Sequence, residues 1–91
     1  MSPVNQIQNK MRARLAVLNP TALEIIDESH KHAGHAGARG GGGHYVLNIV
    51  SAQFSGNNTV ARHRMIYSAL GELMKREIHA LTIQAHTPDE M

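Results

Sequence analysis

The chain has 91 residues, 42% of them hydrophobic, and a net charge of +2 with histidine counted neutral, which suits one small domain with a core but not two. It contains no cysteine, excluding disulfides and thiolate metal sites built by the chain alone. The N-terminus MSPVNQIQNKMRARL lacks a signal peptide's apolar centre, and no run approaches the roughly 20 apolar residues of a membrane span, so a soluble cytoplasmic protein with no membrane partner is expected.

Ser2 followed by Pro3 reads as an N-cap with proline at the first helical position. Val4, Ile7, Met11 and Leu15 recur at helical spacing, Leu18 extends the stripe, and Lys10, Arg12 and Arg14 occupy the other face. The spacing predicts a first helix over 3–18, stopped at Asn19-Pro20 because proline disfavours helical geometry in the residue before it. ALEIIDES (22–29) and HYVLNIVS (44–51) read as strands, and Tyr45, Leu47 and Ile49 form one face of the second. Residues 29–46 hold four of the seven histidines and six of the eight glycines. That segment is too glycine-rich for a helix, so the two strands form a long-looped antiparallel hairpin.

After a turn at FSGNN, TVARHRMIYSALGELMKRE (59–77) reads as a second helix with Ile66, Leu70, Leu73 and Met74 on one face. Gly71 in its interior costs about 1 kcal/mol, which implies close packing against the sheet. His63 lies on the inward stripe and is expected to be a buried, hydrogen-bonded structural histidine, with a partner-surface role as the alternative. IHALTIQAH (78–86) is a third strand with His79, Leu81, Ile83 and Ala85 on one face. TPDEM opens a final helical turn, with Thr87 as N-cap and Glu90 as its capping-box partner.

The order α-β-β-α-β makes one α/β domain over 1–91. A strand–helix–strand crossover places the second and third strands parallel. If they are neighbours, the hairpin loop and the start of the third strand lie at one edge of the sheet. His79 would then meet His30, His32, His35 and His44 there. Imidazole suits zinc, copper, nickel and iron, so an open metal site shared with another molecule is one reading. The blander readings are that His79 is a satisfied histidine at the core's margin and that the loop histidines are solvent-exposed or bind metal adventitiously.

LEIIDESHKH, HYVLNIVSAQFSG, RHRMIYSALGELM and IHALTIQAHTPDE, in this order and spacing, resemble the BolA family from about residue 4 to residue 90. The resemblance implies a class II KH-like fold, a three-stranded mixed sheet with helices packed on one face. It implies a monothiol glutaredoxin partner and a [2Fe-2S] cluster held between the two proteins, with glutathione supplying one thiol and no cofactor on the isolated chain. The implied ligands are His79, within IHAL, and His32, within ESHKH. His35, three residues further on, is an alternative loop ligand. The glycine-rich ARGGGG and a shortened C-terminal helix depart from the family pattern.

A DNA-binding regulator of morphology and stress genes is the competing reading, also implied by the resemblance. Arg62 and Arg64 near the start of the second helix and Lys75 and Arg76 at its end are the candidate phosphate contacts. Against it, a KH domain binds through a GxxG loop between two helices, whereas Gly40 to Gly43 lies in the hairpin loop. An enzyme is not expected: there is no cysteine nucleophile, and Asp27-Glu28 beside His30 and His32 is an ordinary acidic strand end. Alone, the chain is expected to be a monomer or a weak homodimer.

Overall fold

A computed structural model describes residues 3–28 and 43–90, with side chains from Gln6 onward; the N-cap expected at Ser2 lies outside the described residues. Helix α1 (Pro3–Leu15) buries Met11 and Leu15 completely, and Ile7 packs beside them. The last turn of the expected helix tightens into a 3-10 turn, Ala16–Leu18, a frequent ending for an α-helix. Asn19 then enters the left-handed region at φ 48°, and its N–H donates to the Ala16 carbonyl. Asparagine tolerates that conformation where most residues do not.

The sheet order is β1 (Ala22–Asp27), β2 (Gly43–Val50), β3 (Ile78–His86), with β1 antiparallel and β3 parallel to the central strand. Tyr45, Leu47 and Ile49 are each at most 1% exposed and face the helices, as their alternation predicts. Beside them pack Leu23 and Ile25 from β1 and Leu81, Ile83 and Ala85 from β3. The helical layer answers with Met11, Leu15, Ile66, Leu70 and Leu73. Among the described residues no helix covers the other sheet face, where Glu24, Ile26, Thr82 and Gln84 are exposed and Asn48 donates to Glu24 Oε1 at 2.9 Å.

Beyond β2, buried Ser51 donates its hydroxyl to the Leu18 carbonyl and accepts from the Gln53 N–H, tying the end of the first helical segment to the end of the sheet. A 3-10 turn (Ala52–Phe54) buries Phe54. Helix α2 (Thr59–Leu70) starts at Asn58, whose side chain accepts from the Ala61 N–H at 2.9 Å.

The second helix is shorter than its pattern suggests. It stops at Leu70, and Gly71 takes φ 57° and ψ −126°, a combination that side chains with a Cβ rarely adopt. The glycine is therefore a chain reversal and not an interior helical residue pressed on the sheet. A single further turn, α3 (Leu73–Arg76), carries the chain to β3. At the C-terminus, Glu90 Oε1 accepts from the Thr87 N–H at 3.0 Å, the glutamate half of the capping box the sequence predicts, while the Glu90 N–H donates to the Thr87 backbone carbonyl in a 3-10 turn, Pro88–Glu90.

Arg62 holds this terminal turn. Its Nε donates to the Asn57 carbonyl, Nη1 to the Ala85 carbonyl and to Glu90 Oε1, and Nη2 to Glu90 Oε2. The hydrogen bonds from Arg62, then that from the Thr87 N–H, hold the Glu90 carboxyl at about 2, below its ordinary 4.5. A depressed carboxylate pKa stabilises the fold above the unfolded value, and this contribution disappears as pH falls through the folded value. Glu90→Gln is therefore expected to melt below the native protein at pH 7, with the difference closing between about pH 4.5 and pH 2 in thermal unfolding followed by circular dichroism. Gly71→Ala is expected to lower stability by about 1–2 kcal/mol in urea unfolding.

Candidate functional site

The hairpin's two anchors and the start of β3 do lie at one end of the sheet. Asp27 stands opposite Tyr45 and Gly43 opposite Ile78. The Glu28 N–H donates to the His44 carbonyl at 2.8 Å, and the Gly43 N–H to the Glu77 carbonyl at 3.0 Å. Glu77 is held on its other side as well: its N–H donates to the Leu73 carbonyl, and its Oε1 lies 3.2 Å from Lys10 Nζ of α1.

Between these anchors the β2–β3 ladder slips by one residue. Gly43 pairs with Ile78 and His44 with Ala80, leaving His79 unpaired in a bulge. Bulges in parallel pairs are uncommon, and bulges characteristically re-aim a side chain. Here the slip lets Ile78, 3% exposed, and Leu81, three positions later, both turn into the core. His79 is exposed. The inward phase expected for His79 is thereby corrected: Ile78 takes the core position, and the reading of His79 as a core-margin histidine falls with it.

His44 belongs to the same edge. It follows the bulge on β2, opposite Ala80, and its neighbour Tyr45 faces the core, so the alternation assigns His44 to the helix-free face. From the sequence, His44 stands at the loop's end and is not counted among the ligands; the bulge shifts its partner on β3 from His79 to Ala80. Beneath them the Tyr45 hydroxyl is pushed above its ordinary range, first by burial and then by the Asp27 and Glu77 carboxylates. The second Glu77 oxygen is buried and has no hydrogen-bond donor among the described residues.

His32 and His35, the expected loop ligands, and with them His30, lie outside the described residues. Among the described residues no group of three or more histidines, cysteines or acids could hold a metal ion. The donor set thus fits a metal group only where further ligands come from the loop and from another molecule. One exposed imidazole at the sheet's end meets that requirement.

The other candidates separate. Arg62, proposed as a phosphate contact, has four of its five N–H donors engaged within the fold and a side chain only 13% exposed; it is a structural clamp. The capping box was the available signal, since a carboxylate fixed on a terminal turn needs a counter-ion. Arg64, Lys75 and Arg76 are exposed. His63 is half-buried, edge-on to Tyr67 with ring centres 6.5 Å apart. It makes no hydrogen bond among the described residues, which corrects the expectation of a buried, bonded histidine. No helix among the described residues is long and apolar enough to cross a membrane.

Comparison with known proteins adds a family. A model for BolA-like protein matches residues 15–90. The chain is 47% identical over 79 residues to SufE-like protein 1, chloroplastic/mitochondrial, of Arabidopsis thaliana, a match covering 81% of this chain and 21% of that protein. It therefore spans about a fifth of that relative's length. It is 38% identical over 85 residues to the DNA-binding transcriptional regulator BolA of Escherichia coli strain K12, covering 93% of this chain and 75% of the regulator. The solved structure of BolA1 from Arabidopsis thaliana aligns with a TM-score of 0.78 at 42% identity, over 91% of this chain and 93% of that one.

The bulge makes opposite demands on adjacent residues, which unfolding measurements read directly. His79→Ala is expected to change stability by less than about 0.5 kcal/mol, as befits an exposed side chain. Ile78→Ala is expected to cost about 2–4 kcal/mol through the cavity it opens. A large loss in His79→Ala would return that residue to the core.

Proposed function

The chain belongs to the BolA family, and from that membership we propose that it is the partner of a monothiol glutaredoxin, sharing a [2Fe-2S] cluster with it for cluster trafficking or iron and redox sensing. The observation that carries this reading is His79 turned to solvent by a bulge at the end of the sheet where the hairpin's anchors lie. His79 would be one ligand, and His32, or His35 in its place, the second. Glutaredoxin and glutathione would supply thiolates on the other side.

The residues present suit that division of labour. An imidazole on a bulge has its backbone fixed by ladder bonds on one side and by Glu77 on the other, so its position is set before any partner arrives. A second ligand from the glycine-rich hairpin can adapt to the partner's thiolates. When bound, such a cluster supplies redox chemistry at a potential raised by the neutral histidines in place of thiolates. Because the ligating nitrogen must be free of its proton, the complex weakens at acid pH.

A second reading, a DNA-binding regulator, is supported by the name of the Escherichia coli relative and by the exposed cations Arg64, Lys75 and Arg76.

The deciding measurement is anaerobic titration into a cluster-loaded monothiol glutaredoxin with glutathione, followed by visible absorption and circular dichroism. A new spectrum saturating at one-to-one is expected, lost in His79→Ala and in either His32→Ala or His35→Ala. His44→Ala serves as the test of the neighbouring imidazole and is expected to keep the spectrum. If no new spectrum forms, or all variants behave as the native chain does, the cluster reading fails and DNA regulation takes first place.

A further inference from the structure

The edge of β3 leads away from His79, and its backbone groups have a settled direction. The Ser51 N–H donates to the His86 carbonyl, so His86 faces β2. In a parallel ladder the N–H and C=O of one residue point to the same side, and alternate residues point to opposite sides. Thr82 and Gln84 therefore face β2 as well, while Leu81, Ile83 and Ala85 face away from it. Arg62 supports the assignment independently, because it reaches the Ala85 carbonyl from outside the sheet.

Among the described residues the outward N–H groups of Leu81 and Ile83 donate no hydrogen bond and their C=O groups accept none. Such an edge is a template for another chain, and proteins blunt it with lysine, proline, bulges or a covering element. Here the bulge at His79 closes one end and Arg62 closes the other. The stretch between them, Ala80–Gln84, reads ALTIQ and carries no charge and no proline. Its two exposed side chains, Thr82 and Gln84, suit a paired strand.

We infer that this edge docks an extended segment of the protein that brings the thiolate ligands to His79, by addition of a strand to β3. The inference rests on the cluster-sharing reading, since continuity with His79 is what selects this occupant: a partner whose thiolates reach His79 already lies beside the open backbone. Alternating donors and acceptors at strand spacing match a polypeptide main chain. They do not match a phosphodiester, which presents acceptors only and would need cations that Ile78–His86 lacks.

The test is residue-level hydrogen exchange by mass spectrometry on the full chain, free and with cluster-loaded monothiol glutaredoxin and glutathione. In the free protein the Leu81 and Ile83 amides exchange fast and those of Thr82 and Gln84 slowly. In the complex, the Leu81 and Ile83 amides are expected to slow at least tenfold. A chain made with an ester in place of the Ile83 amide, which removes that N–H and keeps the side chain, is expected to fold as before and to bind about fivefold to tenfold more weakly. If the new spectrum forms while Leu81 and Ile83 exchange as in the free protein, strand addition is wrong and cluster sharing stands. If no spectrum forms, both fall. Protection that grows with the concentration of this chain alone assigns the edge to a second copy and overturns the inference.

Discussion

Everything in this fold hangs on β2 being paired along both edges while, among the described residues, only one of its faces is packed against helices. A strand so placed must alternate, and Tyr45, Leu47 and Ile49 supply an apolar face with no polar interruption. Because the side-chain period is two, a shift of one residue would expose all three. The register with Ile25 on one side and Ile83 on the other is therefore strongly determined. Antiparallel pairing to β1 and parallel pairing to β3 then bring the hairpin's anchors and the third strand's start to a common end. The position of the candidate site follows from strand direction, before any ligand is considered.

The bulge resolves a conflict built into that arrangement. The chain arrives at β3 from α3 with Ile78 needing a place in the core, yet Leu81, Ile83 and Ala85 need the same face. Strict alternation cannot bury both sets, since Ile78 and Leu81 have opposite parity. One extra residue restores the phase, and that residue is His79. Apolar burial of Ile78 thus drives the exposure of the imidazole next to it, so the packing of the core and the presentation of the donor are one feature. Lys10 and Glu77 close the corner from the side of α1.

These relations explain what could be read in advance. The second strand and the first helix are legible because their apolar periods are unbroken; the crossover rule turns the element order into a mixed sheet with the hairpin's anchors and His79 near one edge. Gly71 misled because a helix interior and a chain reversal look alike when apolar residues continue at helical spacing on both sides: Leu70 and Leu73 are both buried, but across a break. His79 misled because a bulge leaves no mark in a period-two pattern except the competing claim of Ile78. His63 shares the stripe of Ile66 in projection, yet lies one turn before Ile66, the first buried residue of α2, and stays half-buried. Arg62 looks like a surface cation in the sequence because its partners, Asn57, Ala85 and Glu90, come from three separate segments that no local pattern connects.

The Arg62 clamp also shapes what the remaining surface can recognise. Of the four cations suggested along the second helical segment, one is consumed inside the fold and three stay exposed. Three phosphate contacts correspond to a salt slope of only about −3, a weak and sequence-independent attraction. Single-stranded nucleic acids gain most from aromatic platforms, and this chain offers little: Tyr45 and Phe54 are at most 1% exposed, and Tyr67, 41% exposed, has its ring against His63. Along β3 stand an exposed imidazole and a short run of strand backbone with no partner among the described residues. Those groups suit a metal and a polypeptide, and their adjacency along β3 favours the proposed protein partner that brings the rest of the ligands.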